Sequence, residues 1–288
     1  MAKTMWQCAG YSFDANAPIV MGILNVTPDS FSDGGRYDNP ELACAHARIM
    51  LEQGATIIDV GGESTRPGSD EVSVEEELAR VLPVVTQLAE EGVAVSVDTR
   101  HALVAEACVK AGAAIINDVS GFRDEAMVAM AAACDAGIVV MHMLGEPKNM
   151  QVDPHYEDVV GEVSAYLLGQ AHLLEAAGVA PARICIDPGP GFGKTYDHNL
   201  ALLRQTRALA SLGYPLMAAY SRKGFIGALT GVEIAAQRVA GSVAVAVFAA
   251  LHGACVLRVH DVAPTVEALK VVETVKAAEC GGEVWRGY

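Results

Sequence analysis

The sequence contains few positive charges, few aromatic residues and no long apolar run. Its 288 residues include 20 Lys and Arg against 35 Asp and Glu, which gives a formal net charge of −15. This balance argues against a surface that binds nucleic acid or anionic lipid, because such a surface needs positive patches. No apolar segment reaches the roughly 18 residues of a membrane helix. We therefore expect a protein that binds neither nucleic acid nor membrane.

Paired cysteines and familiar catalytic motifs are also absent. The seven cysteines are scattered singly and include no C-x-x-C pair, which argues against a disulfide framework or a structural zinc site. The first residues lack the apolar stretch of a signal peptide. Neither H-E-x-x-H nor G-x-S-x-G occurs, so neither a tightly held zinc ion nor a Ser/His/Asp triad is expected. These features predict a cytoplasmic protein.

Short apolar runs alternate with longer helix-like segments along the chain. Hydrophobic residues make up 52% of it and aromatic residues only 6%, which suits buried parallel strands. The predicted strands occupy residues 19–26, 56–61, 94–99, 114–119, 138–143, 183–187, 215–220 and 255–260. The predicted helices occupy residues 40–53, 73–91, 101–111, 124–136, 157–177, 197–212, 235–252 and 262–278. The pattern predicts an α/β protein, a single (β/α)₈ TIM barrel, with a doubly wound open sheet as the alternative.

No internal boundary divides the chain. Residues 1–288 are predicted to form one domain, with its core at about 19–278 and a tail at 279–288. Two irregular stretches, 27–38 and 63–72, follow the first two strands and are rich in Gly, Ser, Asp and Pro. Because barrel enzymes carry their active-site loops at this end, we expect the site at the C-terminal ends of the strands.

Polar side chains of varied chemistry stand at those strand ends. One such residue is usually a turn former or a helix cap, but eight in succession indicate a site. Asp98, Asn117 and Asp187 can pair with the donor and acceptor edge of an aminopyrimidinone ring. For Asp98 and Asn117, capping of the following helices is the alternative. Asp187 favours function more strongly, because the D-P-G-P-G-F-G-K segment (187–194) that it opens has few structural uses.

A second set of strand-end residues is cationic. Arg66, Lys223, Arg258 and His260 together indicate an anionic substrate group. Arg258 and His260 alternate along one strand, so both point to one face; the alternative is a surface ion pair with Asp261. Lys223 lies where a strand turns into a short helix, whose first N–H groups attract a carboxylate or phosphate. The G-F-G-K-T run (191–195) lacks the glycine spacing of a phosphate-binding loop.

The same residues carry a resemblance to a known family. The segments N-V-T-P-D-S-F-S-D-G-G (25–35) and D-V-G-G-E-S-T-R-P-G (59–68) resemble the two opening signatures of dihydropteroate synthases. Shorter segments around the strand-end residues continue the resemblance in order over residues 19–270. It implies that 6-hydroxymethyl-7,8-dihydropterin pyrophosphate condenses with para-aminobenzoate to give 7,8-dihydropteroate and pyrophosphate. It also implies a homodimer that uses Mg²⁺.

The resemblance further implies a role for each matching residue. The pterin would contact Asp98, Asn117, Met141, Asp187 and Lys223. The pyrophosphate would contact Asn25, Thr65, Arg258 and His260, with Mg²⁺ held at Asn25. The aminobenzoate would contact Phe31, Arg66, Pro67, Phe192, Ser221 and Gly224. The catalytic residues would be Lys223, Arg258, His260, Asp98 and Asp187, acting in an SN1-like displacement.

Two departures from the family pattern are visible. Residues 143–147 replace a more usual Gln-Gly-small segment, and Gly224 stands where many members have Ser. Two alternatives are kept open, a catalytically silent pterin-binding paralogue and an enzyme resembling methyltetrahydrofolate:corrinoid methyltransferases. The loop residues Phe31, Arg66 and Pro67 argue against the first. The cationic set argues against the second, which has no evident need for an anion site.

Overall fold

The computed structural model describes residues 5–27, 40–64 and 71–279. A two-stranded hairpin, β1 (Met5–Cys8) and β2 (Tyr11–Asp14), comes first. Eight parallel strands follow and confirm the predicted barrel: β3 (Ile19–Asn25), β4 (Ile57–Gly61), β5 (Val95–Asp98), β6 (Ile115–Asp118), β7 (Gly137–Met141), β8 (Ile184–Asp187), β9 (Met217–Ala218) and β10 (Val256–Val259). Their order is β8-β7-β6-β5-β4-β3-β10-β9. The Ile186 N–H donates to the Pro215 carbonyl at 2.9 Å and closes the ring between β8 and β9.

Helices connect the strands and cover the outside of the barrel. They are α1 (Pro40–Glu52), α2 (Val74–Glu90), α3 (Ala102–Lys110), α4 (Glu125–Ala132), α5 (Val159–Ala176), α6 (Tyr196–Arg204), α7 (Thr206–Ala210), α8 (Gly224–Thr230), α9 (Val239–Leu251) and α10 (Val262–Glu279). The predicted helix at 197–212 is two helices, because the chain breaks at Gln205 and the Thr206 hydroxyl donates to the Leu203 carbonyl. Of the helix predicted at 235–252, only the part from Val239 is α-helical, and a 3₁₀ turn precedes it.

Alternation along the strands divides the core into an outer and an inner part. Outward-facing residues such as Ile58, Val97 and Ile116 pack against the helices in one large cluster. Inward-facing residues such as Met21, Ile57 and Ile115 fill the lower part of the barrel with a second cluster. A strand presents successive side chains to opposite faces, so this division follows from the strand period of two. The polar strand ends lie above the inner apolar cluster.

The N-terminal hairpin closes the lower end of the barrel. Trp6 is fully buried in the inner cluster, and its indole N–H donates to the Arg183 carbonyl at 2.9 Å. The predicted strands begin at residue 19, so this hairpin is an addition to the predicted fold. With the lower end plugged, a ligand enters at the C-terminal ends of the strands. Within the described residues, no helix has the length and apolar character needed to cross a membrane.

Candidate active site

Strand register brings the polar strand ends into one layer. Gly61 at the end of β4 is opposite Asn25 on one side and opposite Asp98 on the other. Asp98 is in turn opposite Asn117, and farther round the barrel Met141 is opposite Asp187. Residues that are far apart in sequence therefore meet at one mouth. The absence of a side chain on Gly61 leaves Asn25 and Asp98 facing each other across it, since a Cβ there would stand 3.8 Å and 3.7 Å from their side-chain oxygens.

Arg258 is the centre of a buried ion network. Its Nε donates to Asp59 and its terminal nitrogen donates to Asp98, each at 2.6 Å. The Asn117 amide also donates to Asp59, at 3.2 Å. Asp59 is wholly buried, whereas the side chains of Asp98 and Arg258 keep 11% and 15% of their surface exposed. Asp59 therefore forms the buried base of the network. Asp98 and Arg258 form part of the surface of the mouth.

The network holds two carboxylates for one guanidinium, and this imbalance sets its electrostatics. Burial, opposed by the charge of Arg258, raises the pKa of Asp98 to about 7. Burial alone would lower the pKa of Arg258, but attraction to Asp59 and Asp98 outweighs it and raises that pKa. Arg258 stays charged at any physiological pH. Asp98 can therefore take up or release a proton near neutrality.

Asp187 and Lys223 form the other side of the mouth. Burial raises the pKa of Asp187, although the Gly189 N–H donates to its carboxylate at 2.8 Å. Burial and the charge of Arg258 together lower the pKa of Lys223 to about 8, although the charges of Asp187 and Asp98 oppose this. The Lys223 ammonium also lies 4.2 Å from the centre of the Phe192 ring. Lys223 thus lies between the acidic groups and the Phe192 ring.

The sequence leaves two alternatives open: helix capping by Asp98 and Asn117, and a surface ion pair between the Arg258–His260 strand end and Asp261. The structure shows neither. The N-cap of α3 is His101 and that of α4 is Asp124, so neither Asp98 nor Asn117 caps the helix that follows it. Asp261 pairs with Arg222 through hydrogen bonds of 2.6 Å and 2.9 Å. Arg258 is instead directed into the mouth. Both findings favour a binding site over local structural roles.

His260 differs from the expectation that it is a cation. Its ring Nδ1 lies 3.1 Å from the Ser221 hydroxyl, which also accepts from the His260 backbone N–H at 3.2 Å. Burial, reinforced by the charges of Arg222 and Arg258, lowers the pKa of His260 to about 3. The imidazole is therefore neutral in the unliganded protein, and its hydrogen bonds rather than its charge are available to a substrate.

The remaining predicted site residues fall into two groups. Met141 and Phe192 pack together with Val119, Met143 and Met150 in a small buried cluster at the mouth. Gly224 begins α8, directly after Lys223. The other predicted contacts lie outside the described residues: Phe31, Thr65, Arg66 and Pro67.

Two buried groups at the site were not predicted from the sequence. Asp59 lies in the family signature at 59–68, and a charged residue inside the apolar run 56–61 is itself a signal of function. Lys194 lies in the G-F-G-K-T run, which lacks the spacing of a phosphate-binding loop. It is 3% exposed, and its ammonium lies 2.9 Å from Nδ1 of His142. Neither its depth nor its partner could be read from sequence spacing.

Comparisons with known proteins agree with this geometry. The family profile described as pterin binding enzyme matches residues 21–260. Dihydropteroate synthase of Neisseria meningitidis serogroup C is 51% identical over 279 residues, covering 96% of this chain and 99% of that protein. The Xanthomonas albilineans dihydropteroate synthase solved with 4-aminobenzoic acid is 47% identical with a TM-score of 0.91, covering 96% and 99%. The Burkholderia cenocepacia enzyme complexed with 7,8-dihydropteroate is 43% identical with a TM-score of 0.89, covering 97% and 99%.

The barrel and its mixed acidic and cationic mouth define a pterin-binding enzyme, and the family profile covers the strands that build this mouth. Within that class, the identity extends over nearly the whole chain and nearly the whole of each relative. The chain belongs to the dihydropteroate synthases, transferases of folate biosynthesis.

Asp98→Asn is expected to change the pH dependence of stability. Because the folded-state pKa of Asp98 is raised to about 7, its contribution to stability is complete below about pH 4 and is lost as the pH rises through 7. Wild type should therefore lose stability relative to the variant over this range, by at most about 1.4 kcal/mol per pH unit. Chemical denaturation of both proteins between about pH 4 and 8 checks this; a constant difference would contradict the assignment.

Proposed function

We propose that the mouth of the barrel joins a pterin to para-aminobenzoate, with 6-hydroxymethyl-7,8-dihydropterin pyrophosphate as the activated substrate. The observation that carries the proposal is that one end of the barrel brings together five polar side chains, those of Asp98, Asn117, Asp187, Lys223 and Arg258. The first three can accept from the N–H groups of a flat heterocycle, Lys223 can donate to its acceptors, and Arg258 suits a phosphate. The solved relatives that contain 4-aminobenzoic acid and 7,8-dihydropteroate support the joining of a pterin to an aminobenzoate.

The pterin is assigned to the acidic side of the mouth. Asp187 and Asn117 are almost fully buried, so a ring that pairs with them is shielded from water, and an unmatched ring leaves them unpaired at a cost of about 1–3 kcal/mol. Met141, opposite Asp187 in the barrel, provides an apolar surface for the face of the ring. Lys223 lies within electrostatic reach of Asp187 and can donate to a ring carbonyl or nitrogen.

The pyrophosphate is assigned to Arg258, His260 and Asn25, with Thr65 as a further contact outside the described residues. Arg258 keeps its charge, and its ion pair with Asp59 holds it at the mouth. His260 is neutral, so it offers a hydrogen bond to a phosphate oxygen rather than a full charge. A bound dianion nearby would raise the pKa of His260 again, because negative charge favours the protonated ring.

The aminobenzoate is assigned to the rim between Phe192 and α8. The Phe192 ring packs with Met141, which is assigned to the face of the pterin, and lies under the Lys223 ammonium. A second aromatic ring can stack at this place. The backbone of Ser221 and Gly224 leads into the first turn of α8, where N–H groups without helical partners can meet a carboxylate. Phe31, Arg66 and Pro67 would complete this pocket from outside the described residues.

We also propose that Mg²⁺ is held beside Asn25. The described residues contain no group of three or more His, Cys, Asp or Glu side chains placed to hold a metal. Mg²⁺ commonly keeps several waters and uses few protein oxygens together with substrate phosphates. The half-buried amide of Asn25 at the mouth fits a single ligand of this kind. When bound, the ion would neutralise charge on the pyrophosphate.

The proposed reaction breaks the C–O bond between the pterin methylene and pyrophosphate and forms a C–N bond to the arylamine. The electron-rich pterin stabilises positive charge at the methylene, so departure of pyrophosphate can precede attack. Arg258 stabilises the negative charge that develops on the leaving group. The arylamine is already neutral and loses a proton after attack, so no strong general base is needed. Loops 27–38 and 63–72, expected beside the site from the sequence, lie largely outside the described residues.

Product formation by wild type and by an Asp187→Asn variant tests this proposal. Wild type supplied with pterin pyrophosphate, para-aminobenzoate and Mg²⁺ should form dihydropteroate and release pyrophosphate, as followed by mass spectrometry and a coupled assay. Asp187→Asn should weaken pterin binding by at least about tenfold in calorimetry, because a ring N–H loses its charged acceptor.

Asp118→Asn is the matched control for that variant. Asp118 is another fully buried carboxylate at a strand end, but it binds Ser120 and Phe122 in its own turn. Its replacement should cost stability and leave pterin affinity within about twofold of wild type. Pterin binding without product would favour a silent paralogue. Unchanged affinity in Asp187→Asn would remove Asp187 from the pterin site.

We further propose that the enzyme is a homodimer assembled through α6 and α9. Leu200, Phe248 and Leu251 are 40%, 38% and 43% exposed on these helices, and a largely apolar groove runs between Leu200, Leu203 and Phe248. Contiguous exposed apolar side chains of this kind mark association surfaces. A second copy of the chain can bury them by presenting the same surface, as twofold symmetry requires.

Phe248→Glu is expected to convert this dimer into a monomer. The change removes the Phe248 ring and places a charge in the apolar part of the interface. Sedimentation velocity at micromolar concentration measures the change. Leu103→Glu on α3, at a residue that is 63% exposed, is the control and should leave the dimer intact. A monomeric wild type, or a Phe248→Glu variant that stays dimeric, would contradict the assignment.

A cytoplasmic location is supported by the state of the cysteines. The six cysteines of the described residues are free, and five of them are buried. Unpaired thiols are typical of proteins that work in a reducing compartment. We therefore place the enzyme in the cytoplasm, where the sequence analysis also expected it.

A further inference from the structure

The segment between β8 and α6 contains a lysine that the proposed reaction does not use. This segment, residues 188–195, includes the G-F-G-K-T run and lies directly on the end of β7. A Cβ on Gly189 would stand only 1.9 Å from the His142 carbonyl oxygen, and Gly189 has a φ of 63°. Only glycine fits such a close approach with that backbone conformation. The segment therefore lies in close contact with the end of β7, the strand that carries Met141.

Side chains, rather than a sheet or a helix, hold this segment in place. Four consecutive backbone carbonyls each accept a side-chain hydrogen bond. The pairs, in chain order, are Gly191 with Gln151 at 2.6 Å, Phe192 with Lys194 at 3.0 Å, Gly193 with Tyr156 at 2.9 Å and Lys194 with Asn199 at 3.3 Å. An irregular buried backbone needs such partners for its polar groups. Loss of one partner should let the local backbone move.

Lys194 is the partner that joins the segment to the barrel. Its ammonium contacts the His142 ring nitrogen at 2.9 Å, the His142 carbonyl at 3.2 Å and the Phe192 carbonyl at 3.0 Å. All three are neutral acceptors, which match the three N–H donors of the protonated lysine. Because none of them carries a charge, burial lowers the pKa of Lys194 to about 7. Burial lowers the pKa of His142 to about 3, so the ring is neutral and its Nδ1 can accept. Lys194 is 3% exposed, and its three donors are all directed to protein acceptors.

The group that Lys194 holds is the backbone of Phe192. The Phe192 ring packs with Met141, Met143 and Met150 on one side and lies 4.2 Å below the Lys223 ammonium. The position of the Phe192 ring therefore determines its packing against the three methionines and its contact with Lys223. A shift of the Phe192 backbone would move the ring relative to both. A misplacement of about 1 Å in a substrate pocket can lower the reaction rate about 100-fold.

We propose that Lys194 is a positioning residue for the arylamine substrate, which acts by fixing Phe192 through its backbone carbonyl. The proposal rests on the assignment of Phe192 to the aminobenzoate pocket. A general structural role predicts only lost stability when Lys194 is replaced. A positioning role predicts in addition a loss of aminobenzoate recognition, while the pterin contacts of Asp98 and Asn117 on other strands are kept.

Steady-state kinetics of Lys194→Met test the proposal. The variant should raise the KM for para-aminobenzoate about tenfold or more, which corresponds to about 1.4 kcal/mol. Its kcat and its affinity for pterin pyrophosphate should fall by a smaller factor than the rise in this KM, since Asp98, Asn117 and Arg258 are untouched. Tyr156→Phe removes the donor to the next carbonyl with little change in shape, and it should produce a smaller rise in the same KM.

Arg183→Met is the matched control for loss of a buried cation. Arg183 is also almost fully buried and donates to neutral carbonyls, those of Ala136 at 2.8 Å and Ala131 at 2.9 Å, but it lies at the plugged end of the barrel. Its replacement should lower the thermal stability as much as Lys194→Met does. The KM for para-aminobenzoate should stay at the wild-type value.

A double-mutant cycle with Phe192→Ala identifies the path of the effect. If Lys194 acts through Phe192, then Lys194→Met should raise the KM no further once the ring is gone. Additive effects of the two changes would overturn the proposal. An unchanged KM in Lys194→Met, or in Tyr156→Phe if the former does not fold, would overturn it as well. Failure of wild type to form dihydropteroate would instead refute the proposed function, so the two failures are distinguishable.

Discussion

The guanidinium of Arg258, shared between Asp59 and Asp98, is the interaction on which the rest of the site depends. A buried charge is tolerated only when it is paired, and removal of one partner from a buried pair costs about 3–5 kcal/mol. Asp59 is wholly buried, so it cannot turn to solvent when a ligand arrives. Asp98 and Arg258 can both face a ligand. The network therefore combines a fixed anchor with two adjustable charges, and it does so inside a protein of net charge −15.

The barrel supplies the geometry that this network needs. Asp59, Asp98 and Arg258 lie on β4, β5 and β10, and only β3 separates β10 from β4. Below them the barrel interior is apolar and closed by Trp6, so water reaches the charges from one side only. In such surroundings electrostatic interactions are stronger than in water. The same enclosure raises the pKa of Asp98 and lowers those of Lys223 and His260.

Much of the fold could be predicted from the sequence because buried parallel strands produce apolar runs with polar residues at their ends. The eight runs and the strand-end residues Asp98, Asn117 and Asp187 were found in this way. The burial of a polar side chain and its hydrogen-bond partners could not be predicted from the same pattern. In the sequence, Asp59 is one residue of a family signature, and Lys194 is one residue of a run that lacks the spacing of a phosphate-binding loop. The lowered pKa of His260 depends on its burial and on the charges of Arg222 and Arg258, which only the folded structure establishes.

The most direct test of this account is a double-mutant cycle of Asp59→Asn and Arg258→Met, measured as kcat/KM for the pterin pyrophosphate. If Asp59 acts by anchoring Arg258, each single variant should lose at least about tenfold, and the double variant should be no worse than Arg258→Met alone. If Asp59→Asn stays within about twofold of wild type, or if the two losses multiply, the guanidinium is positioned by other groups and the central claim is wrong.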